Sequence, residues 1–315
     1  MKRTLLAAAL TVAALSSTAA IAQGTFPSKD ITIIVQYGAG GGTDSFVRAL
    51  EQPLEKAFGV NVAVRNVSGG GGAVGMMQAL AKDPDGYTVT IPNNAFYTLV
   101  GMGNVPFQIE DFDYIAALVL EPYVLTVRKS DDWTDLDSFV AYAKDHKVRL
   151  GFAGVGSSTH IMTIAAAKAL GLDVQFVPYG GAAEASAAAL GGHIEGVVLS
   201  PSDVVSAVQG DGGLVPLVST GESALLENVP TFTDKGYDLT VQQWRGIAAP
   251  AGVDPAVIAA WENALKQAVS DPTFQEAAAN LGTELRPLFG DDLRAFVENG
   301  AAVMLPLTQE VAAQQ

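Results

Sequence analysis

The sequence predicts an α/β protein with two Rossmann-like lobes that are joined by a hinge. Strands and helices alternate along the chain with short loops between them, which is typical of βαβ units and parallel sheets. The alternation restarts after residue 122, and a chain of 315 residues is longer than one hydrophobic core usually serves. We therefore expect two cores with a ligand cleft between them.

The first lobe begins with three strands and two helices. Apolar, β-rich runs predict the strands at 31–36, 60–64 and 87–91. Apolar residues at helical spacing predict the helices at 43–58 and 73–82.

The second lobe repeats this alternation, and a helical block follows it. The predicted strands of the second lobe lie at 123–127, 148–152, 174–177, 194–199 and 214–218, and its predicted helices at 136–144, 158–170, 182–190 and 202–209. One more strand is predicted at 246–249, followed by three helices and no strand, at 254–269, 272–281 and 291–313. We expect this terminal block to pack back on the first lobe. The predicted division of the chain is 1–22 as a signal peptide, 23–121 and 244–315 as lobe 1, and 122–243 as lobe 2.

The N-terminus has the pattern of a cleavable secretory signal. Lys2 and Arg3 precede a short apolar run at 5–15, and Ala20-Ile21-Ala22 is an A-x-A cleavage site. The alternative is a buried N-terminal helix. No other apolar run is long enough to span a bilayer, so we expect a periplasmic protein without a membrane anchor. Because that compartment holds no pool of NAD or ATP, we expect no cofactor.

Composition excludes several classes of function. The chain has no cysteine, which excludes disulfides, thiolate catalysis and cysteine-ligated metals. The net charge is −15, or −17 once Lys2 and Arg3 are removed, and the pI is near 4.5, so nucleic-acid binding is not expected. The three histidines are scattered without ligand spacing, so no metal site is expected: His146, His160 and His193.

A glycine loop follows the first predicted strand and leads into a helix. It runs from Tyr37 through Gly38, Gly41 and Gly42 to Thr43. Free N–H groups at a helix start attract anions, and glycine lets a ligand approach the backbone closely. The loop therefore predicts a carboxylate seat, and the alternative is a tight turn with Thr43 or Asp44 as the helix N-cap.

Three later strand-to-helix junctions have the same form. Residues 154–160 place the hydroxyls of Ser157, Ser158 and Thr159 at a helix start, either as a carboxylate grip or as N-caps. The junctions at 178–182 and 200–203 follow in the next two units and converge on the same cleft if the topology is right. By contrast, Gly70-x-Gly72-x-x-Gly75 lacks the acidic residue of a dinucleotide site, and we interpret it as a structural loop.

Short motifs along nearly the whole mature chain resemble one known family. In order they are Phe26–Lys29, Gly40–Asp44, Pro84–Thr88, Gly156–His160, Val177–Gly181, Thr220-Gly221, Val229–Thr231, Trp244–Gly246 and Ala249–Gly252. Together they look like the substrate-binding proteins of tripartite tricarboxylate transporters, the Bug or TctC family.

The resemblance implies a type II periplasmic binding protein, or Venus flytrap, that is a receptor and not an enzyme. Such a receptor captures a small organic carboxylate, which we expect to be a di- or tricarboxylate and to include aromatic ones, and hands it to membrane permease subunits. We expect a monomer. Family members often hold one carboxylate through backbone groups and water beside the first glycine loop. The ligand-binding residues expected on this basis and from the junctions are Tyr37, Gly38, Gly41, Gly42, Thr43, Asn93, Ser157, Ser158, Thr159, Gly180, Gly181, Ala182, Ser202 and Asp203.

The chain departs from the family pattern in its first loop. Gln36 and Ala39 stand where family members usually have proline, and Tyr37 stands in place of phenylalanine. An acidic residue that many members carry near residues 199–200 is absent, which favours a ligand without an ammonium group, although Asp203 leaves this open.

Two alternative functions remain at the level of sequence. One is an exported serine hydrolase that uses Ser157 or Ser158 with His160, although no G-x-S-x-G elbow is present. The other is a receptor that presents its ligand to a sensor kinase.

Overall fold

The computed structural model describes residues 26–209 and 212–313, and the predicted signal peptide lies outside them. Within these residues the chain forms two separate β-sheets. The first sheet contains β1 (Ile31–Val35), β2 (Val62–Asn66), β3 (Thr88–Thr90), β4 (Phe112–Pro122), β10 (Gln242–Pro250) and β11 (Leu285–Leu288). The second contains β5 (Val124–Arg128), β6 (Val148–Phe152), β7 (Val174–Pro178), β8 (Gly196–Leu199) and β9 (Leu214–Ser219).

Ten helices of the described residues cover these sheets. They are α1 (Gly42–Phe58), α2 (Ala73–Leu80), α3 (Ala95–Gly101), α4 (Leu136–Asp145), α5 (Ser158–Ala169), α6 (Ala182–Leu190), α7 (Pro201–Val208), α8 (Pro255–Val269), α9 (Pro272–Asn280) and α10 (Gly290–Ala312). Two short 3₁₀ turns, Gly70–Gly72 and Ile109–Asp111, precede α2 and β4. The prediction of two α/β lobes is confirmed.

Both sheets are mixed, whereas the alternation of elements predicted parallel ones. The first has the order β11-β4-β10-β3-β1-β2, in which the parallel pairings are those of β1 with β2 and with β3. The second has the order β7-β6-β8-β5-β9, in which β5 runs antiparallel to both of its neighbours. The strands that carry the chain from one sheet to the other pair antiparallel with their neighbours. The prediction of parallel pairing therefore holds only within the βαβ units.

The sequence analysis missed three elements: α3, β4 and β11. The strand β4 is the most consequential, because it pairs with β10 and with β11 at the hinge side of the first sheet. The terminal block is therefore not purely helical. Its helix α8 packs on α1 as expected, but α10 packs on α3 and also reaches α5 of the second lobe. There Lys168 and Glu310 form an ion pair.

The core of the first lobe lies between β1 and the helices α1 and α8. The residues Ile31, Ile33 and Val35 alternate on β1 and are fully buried. Their apolar area is covered by one face of α1 and by Trp261 of α8, whose indole N–H donates to the carbonyl of Gly86 across 3.0 Å. Burial of such side chains contributes about 1.5–3 kcal/mol each, which fixes the C-terminal end of β1 in place.

Two passages of the chain connect the lobes. On the first, Tyr123 alone separates β4 from β5, and it is buried. Its N–H donates to Thr220 Oγ1 at 2.8 Å, and its hydroxyl accepts from Asn94 Nδ2 at 2.9 Å. Asn94 Nδ2 also donates to the carbonyl of Gln242, at the start of the return passage. These hydrogen bonds tie both passages to the first lobe beside the cleft.

We predict that Gly246→Ala strongly destabilises the first lobe. A Cβ atom at Gly246 would lie 1.9 Å from the carbonyl oxygen of Ala116 within the β4–β10 ladder, where the backbone cannot move aside. The expected cost is about 3 kcal/mol, seen as a lower urea midpoint. A Cβ at Gly38 meets no atom within 4 Å, so Gly38→Ala is the matched control. Equal midpoints for the two variants would contradict this packing.

Candidate functional site

A cavity of about 560 Å³ lies between the lobes, at the C-terminal ends of the parallel strands. Its walls combine glycine loops with small polar side chains. The lining residues are Gln36, Tyr37, Gly38, Ala39, Gly41, Gly42, Thr43, Ser68, Gly69, Gly71, Gly72, Asn93, Ala95, Ala153, Gly154, Val155, Ser157, Ser158, Thr159, Tyr179, Gly180, Gly181, Ala182, Asp203, Gln243 and Arg245.

The cavity brings together nearly all the residues that the sequence predicted. Of the predicted ligand-binding residues, Ser202 alone lies outside the lining. Its hydroxyl donates to Glu121 Oε2 at 2.8 Å, so it faces the hinge. Whether the lining residues bind a ligand remains a prediction.

The N-terminus of α1 opens onto the cavity without a side-chain cap. The N-cap is Gly41, and neither Thr43 nor Asp44 has the N-cap position that the sequence analysis considered. Among the described residues, no group accepts a hydrogen bond from the N–H of Gly41, Gly42 or Thr43. Glycine at the N-cap therefore leaves unpaired donors directed at the cleft.

Asp44 instead braces the loop that precedes the helix. Its carboxylate accepts hydrogen bonds from Gly40 N–H at 2.8 Å, from Arg48 Nε at 3.0 Å and from Asn66 Nδ2 at 2.9 Å. Burial raises the pKa of Asp44, but these hydrogen bonds outweigh burial and hold that pKa below its ordinary value. The ionised carboxylate thus points into its own loop and stabilises it.

The second lobe repeats this device at α6. The N-cap is Gly181, again without a side-chain cap, and the preceding Gly180 donates its N–H to Glu184 Oε2 at 2.8 Å. The acid lies four residues after the braced glycine, as Asp44 does after Gly40. Each lobe therefore has one helix start without a side-chain cap, preceded by a glycine loop that an acidic side chain of the same helix stabilises.

The start of α5 shows one of the two roles that the sequence predicted for its hydroxyls, N-capping by Ser157. Ser157 is the N-cap and accepts from the N–H of His160 at 3.2 Å. Thr159 is buried, and its hydroxyl accepts from Ala153 N–H at 2.9 Å and bonds to Ser157 Oγ. The hydroxyls of Ser157 and Thr159 therefore stabilise the loop, and all three residues, including Ser158, line the cavity.

His160 has no catalytic arrangement with either serine. Its ring is buried and stacks on Phe152, with ring centroids 4.3 Å apart. Its Nδ1 accepts a hydrogen bond from Gly156 N–H, so this nitrogen cannot take a proton from Ser157 or Ser158. Burial also lowers the pKa of His160, which keeps the ring neutral. The side chain supports the loop.

The second glycine loop, which the sequence led us to interpret as structural, also contributes to the cavity wall. Ser68, Gly69, Gly71 and Gly72 line the cleft, and Gly72 is the N-cap of α2. A Cβ at Gly75 would lie 2.7 Å from the Cα of Gln36, so glycine there lets α2 pack directly on the end of β1. The signal in the sequence was the position of this loop after a parallel strand, not its match to a nucleotide motif.

The hinge forms the floor of the cavity, where Asp203 was predicted as a site residue but Arg245 was not. Arg245 of β10 and Asp203 of α7 lie there, with Glu121 of β4 behind them. Arg245 Nη1 lies 3.4 Å from Glu121 Oε2. Burial raises the pKa of Glu121, more than Arg245 and Ser202 lower it. The antiparallel pairing of β4 with β10 brings Glu121 and Arg245 together, which no local motif indicates.

Two lobes with helix N-termini directed at a shared cleft define a class of protein, the solute-binding receptors that close around a small ligand. The family model described as the tripartite tricarboxylate transporter family receptor, TctC, matches residues 46–312. The chain belongs to the TctC family, whose members are receptors and not enzymes. The alternative of a serine hydrolase is therefore wrong.

Individual relatives support this membership. The crystal structure of a TctC solute-binding protein from Polaromonas, without ligand, is 30% identical, with a TM-score of 0.78, over 91% of this chain and 100% of the other. The protein BugT of Bordetella pertussis is 26% identical over 305 residues, which are 94% of each chain. MatC of Rhodopseudomonas palustris, described with bound malate, is 22% identical, with a TM-score of 0.76 over 91% of this chain and 100% of MatC. The likeness to MatC shows the fold.

The described residues also bear on metal binding and on membrane insertion. Within residues 26–209 and 212–313, no cluster of three or more histidine, aspartate and glutamate side chains has the arrangement of a metal site. In that part of the chain, no helix has the length and apolar character that crossing a bilayer requires.

We predict that Asp44→Ala destabilises the first glycine loop in a pH-dependent way. The folded-state pKa of Asp44 is lowered, so its stabilising contribution is present at neutral pH and is lost as the pH falls through that folded pKa. The expected loss at about pH 7 is about 1–3 kcal/mol, shrinking towards about pH 3. Thermal unfolding across this range measures it, with the exposed Asp131→Ala as control. A difference that does not depend on pH would contradict the assignment.

Proposed function

We propose that this protein is a periplasmic receptor that captures a small organic di- or tricarboxylate for the permease of a tripartite tricarboxylate transporter. One observation carries the proposal: the N-termini of α1, α2, α5 and α6 all open onto the same cavity. Two of these helices belong to each lobe, so a ligand that contacts all four bridges the lobes.

The chemistry of the cavity wall favours an anion. A negative group near a helix N-terminus is stabilised by about 0.3–1 kcal/mol, and unpaired N–H groups add directed hydrogen bonds. The strongly acidic composition opposes anion capture only weakly, because surface charges are screened beyond roughly 8 Å at physiological salt. Local donors therefore outweigh the net charge inside the cleft.

The size and symmetry of the cavity favour more than one carboxylate. A volume of about 560 Å³ is typical of a site for a small metabolite. Because each lobe offers uncapped helix starts, a ligand with an anionic group at each end satisfies both lobes when they close. The family description, and the malate described in MatC, support a carboxylate of this kind.

Location and partners follow from the family and the N-terminal sequence. The signal pattern that ends at Ala22 favours export, and receptors of this family serve membrane permeases. We propose that the mature chain works as a monomer in the periplasm and delivers its ligand to those permease subunits.

The proposal is tested by thermal unfolding with a panel of acetate, succinate, malate, adipate and citrate. A ligand that binds the folded receptor raises its melting temperature by mass action. We expect a rise with at least one di- or tricarboxylate and a smaller one with acetate, which reaches only one lobe. A neutral sugar that raises the melting temperature while no carboxylate does would overturn the proposal.

We predict that Ser158→Ala and Thr159→Ala separate binding from stability. Ser158 lines the cavity, so Ser158→Ala should weaken carboxylate binding by about tenfold in calorimetry and leave the unliganded melting temperature unchanged. Thr159→Ala removes the acceptor of Ala153 N–H, so it should lower both the affinity and the melting temperature. Equal effects of both variants on melting would contradict these roles.

A further inference from the structure

A buried arginine lies on the floor of the cavity. Arg245 lines the cleft, although only 4% of its surface is exposed. Among the described residues that line the cavity, it is the one cation. The sequence predicted that uncharged amides and hydroxyls bind the ligand, so a guanidinium at this place requires a separate explanation.

The guanidinium has more donors than the protein uses. Nη1 approaches Glu121 Oε2 at 3.4 Å, which is long for a charge-assisted hydrogen bond. Among the described residues, Nε has no hydrogen-bond partner, and Nη2 donates to no acceptor. A methyl group placed on Gly42 would lie 3.7 Å from Nη2. The unused nitrogen is therefore next to the first residue of α1, whose own N–H is unpaired.

We infer that Arg245 is a ligand-binding residue, whose guanidinium and the N-terminus of α1 together form the seat for one carboxylate of the ligand. This inference rests on the proposed function and adds the side chain that supplies the charge. A carboxylate has two oxygens, and here one can accept from Nη2 while the other accepts from the backbone at Gly42 and Thr43. Such paired, charge-assisted bonds fix orientation as well as affinity.

Glu121 positions Arg245 without cancelling its charge. Glu121 is fully buried, and its Oε2 is shared between Arg245 Nη1 and the hydroxyl of Ser202, while Oε1 has no partner among the described residues. Burial raises the pKa of Glu121. When a carboxylate of the ligand approaches Arg245, its negative charge favours the neutral form of Glu121 further. The arginine can therefore exchange part of its interaction with Glu121 for one with the ligand.

Asp203 limits this seat to a single carboxylate. Its Oδ1 would lie 3.9 Å from a methyl group on Gly42, on the same side of the loop as Arg245, and its Oδ2 accepts from Ser200. Because like charges repel, a second anionic group of the ligand is directed away from the hinge. The uncharged helix starts of α5 and α6 then receive that other end.

The test compares Glu121→Gln with the double variant Glu121→Gln/Arg245→Met. Arg245→Met alone leaves the buried Glu121 carboxylate without its cation and is prone to misfold, whereas the double variant removes both charges. Calorimetry uses the same panel of acetate, succinate, malate, adipate and citrate. We expect the double variant to bind every active member of the panel at least tenfold more weakly than Glu121→Gln does.

The affinity of Glu121→Gln distinguishes a binding role of Arg245 from a merely structural one. With Glu121 neutral, the charge of Arg245 is less compensated, so Glu121→Gln should bind carboxylates at least as tightly as the natural protein, despite a lower melting temperature when unliganded. Affinities of the single and double variants within twofold of each other would overturn the role of Arg245 and leave the receptor function intact. If the natural protein binds no member of the panel, the proposed function fails, and this inference with it.

Discussion

The first backbone N–H groups of a helix have no partner within that helix, and this constraint organises the whole site. A buried donor without an acceptor costs free energy, so proteins usually supply a serine, threonine or acidic side chain there. Here the N-caps of α1, α2 and α6 are Gly41, Gly72 and Gly181, which bring no side chain at all. For α1 and α6 the acceptors must come from outside the chain, whereas the carbonyls of Gly69 and Gly70 accept from the first N–H groups of α2. The fold places all three starts, with that of α5, around one cavity. The proposed recognition of an anion thus follows directly from how the helices begin.

The acidic composition is compatible with this because the carboxylates on α1 and α6 bond to their own glycine loops. Asp44 and Glu184 each bond to the glycine that precedes their own N-cap, so their negative charge stabilises the loop from behind. The same local arrangement occurs in both lobes. In each, an acidic side chain stabilises a flexible glycine loop while the N–H groups at the helix start remain free. Arg245 and Asp203 break this symmetry at the hinge and give the cleft a charged and an uncharged end.

The sequence was informative wherever a feature is local. Apolar residues at helical spacing located α1, and the run from Ile31 located β1, because both patterns depend on one buried face. The strand β4 was missed because its apolar residues continue into β5 with only Tyr123 between them, so periodicity alone could not divide the run. The predicted site residues are mostly strand-end glycines and hydroxyls, whose position follows from the βαβ order. Arg245 could not be found in this way, since it reaches the cleft only through the pairing of β10 with a strand that lies far away in sequence.

Glycine N-caps have one more consequence, for the empty receptor. A helix with glycine at the N-cap frays somewhat more readily than one capped by serine, threonine or aspartate, at a cost of roughly a few tenths of a kcal/mol. In the proposed function the captured solute takes the place of the missing caps in α1 and α6, so occupancy and the order of these first turns would change together. The amide protons of Gly42 and Ala182 lie in those turns, and their rate of exchange with solvent becomes a local gauge of whether the receptor is loaded.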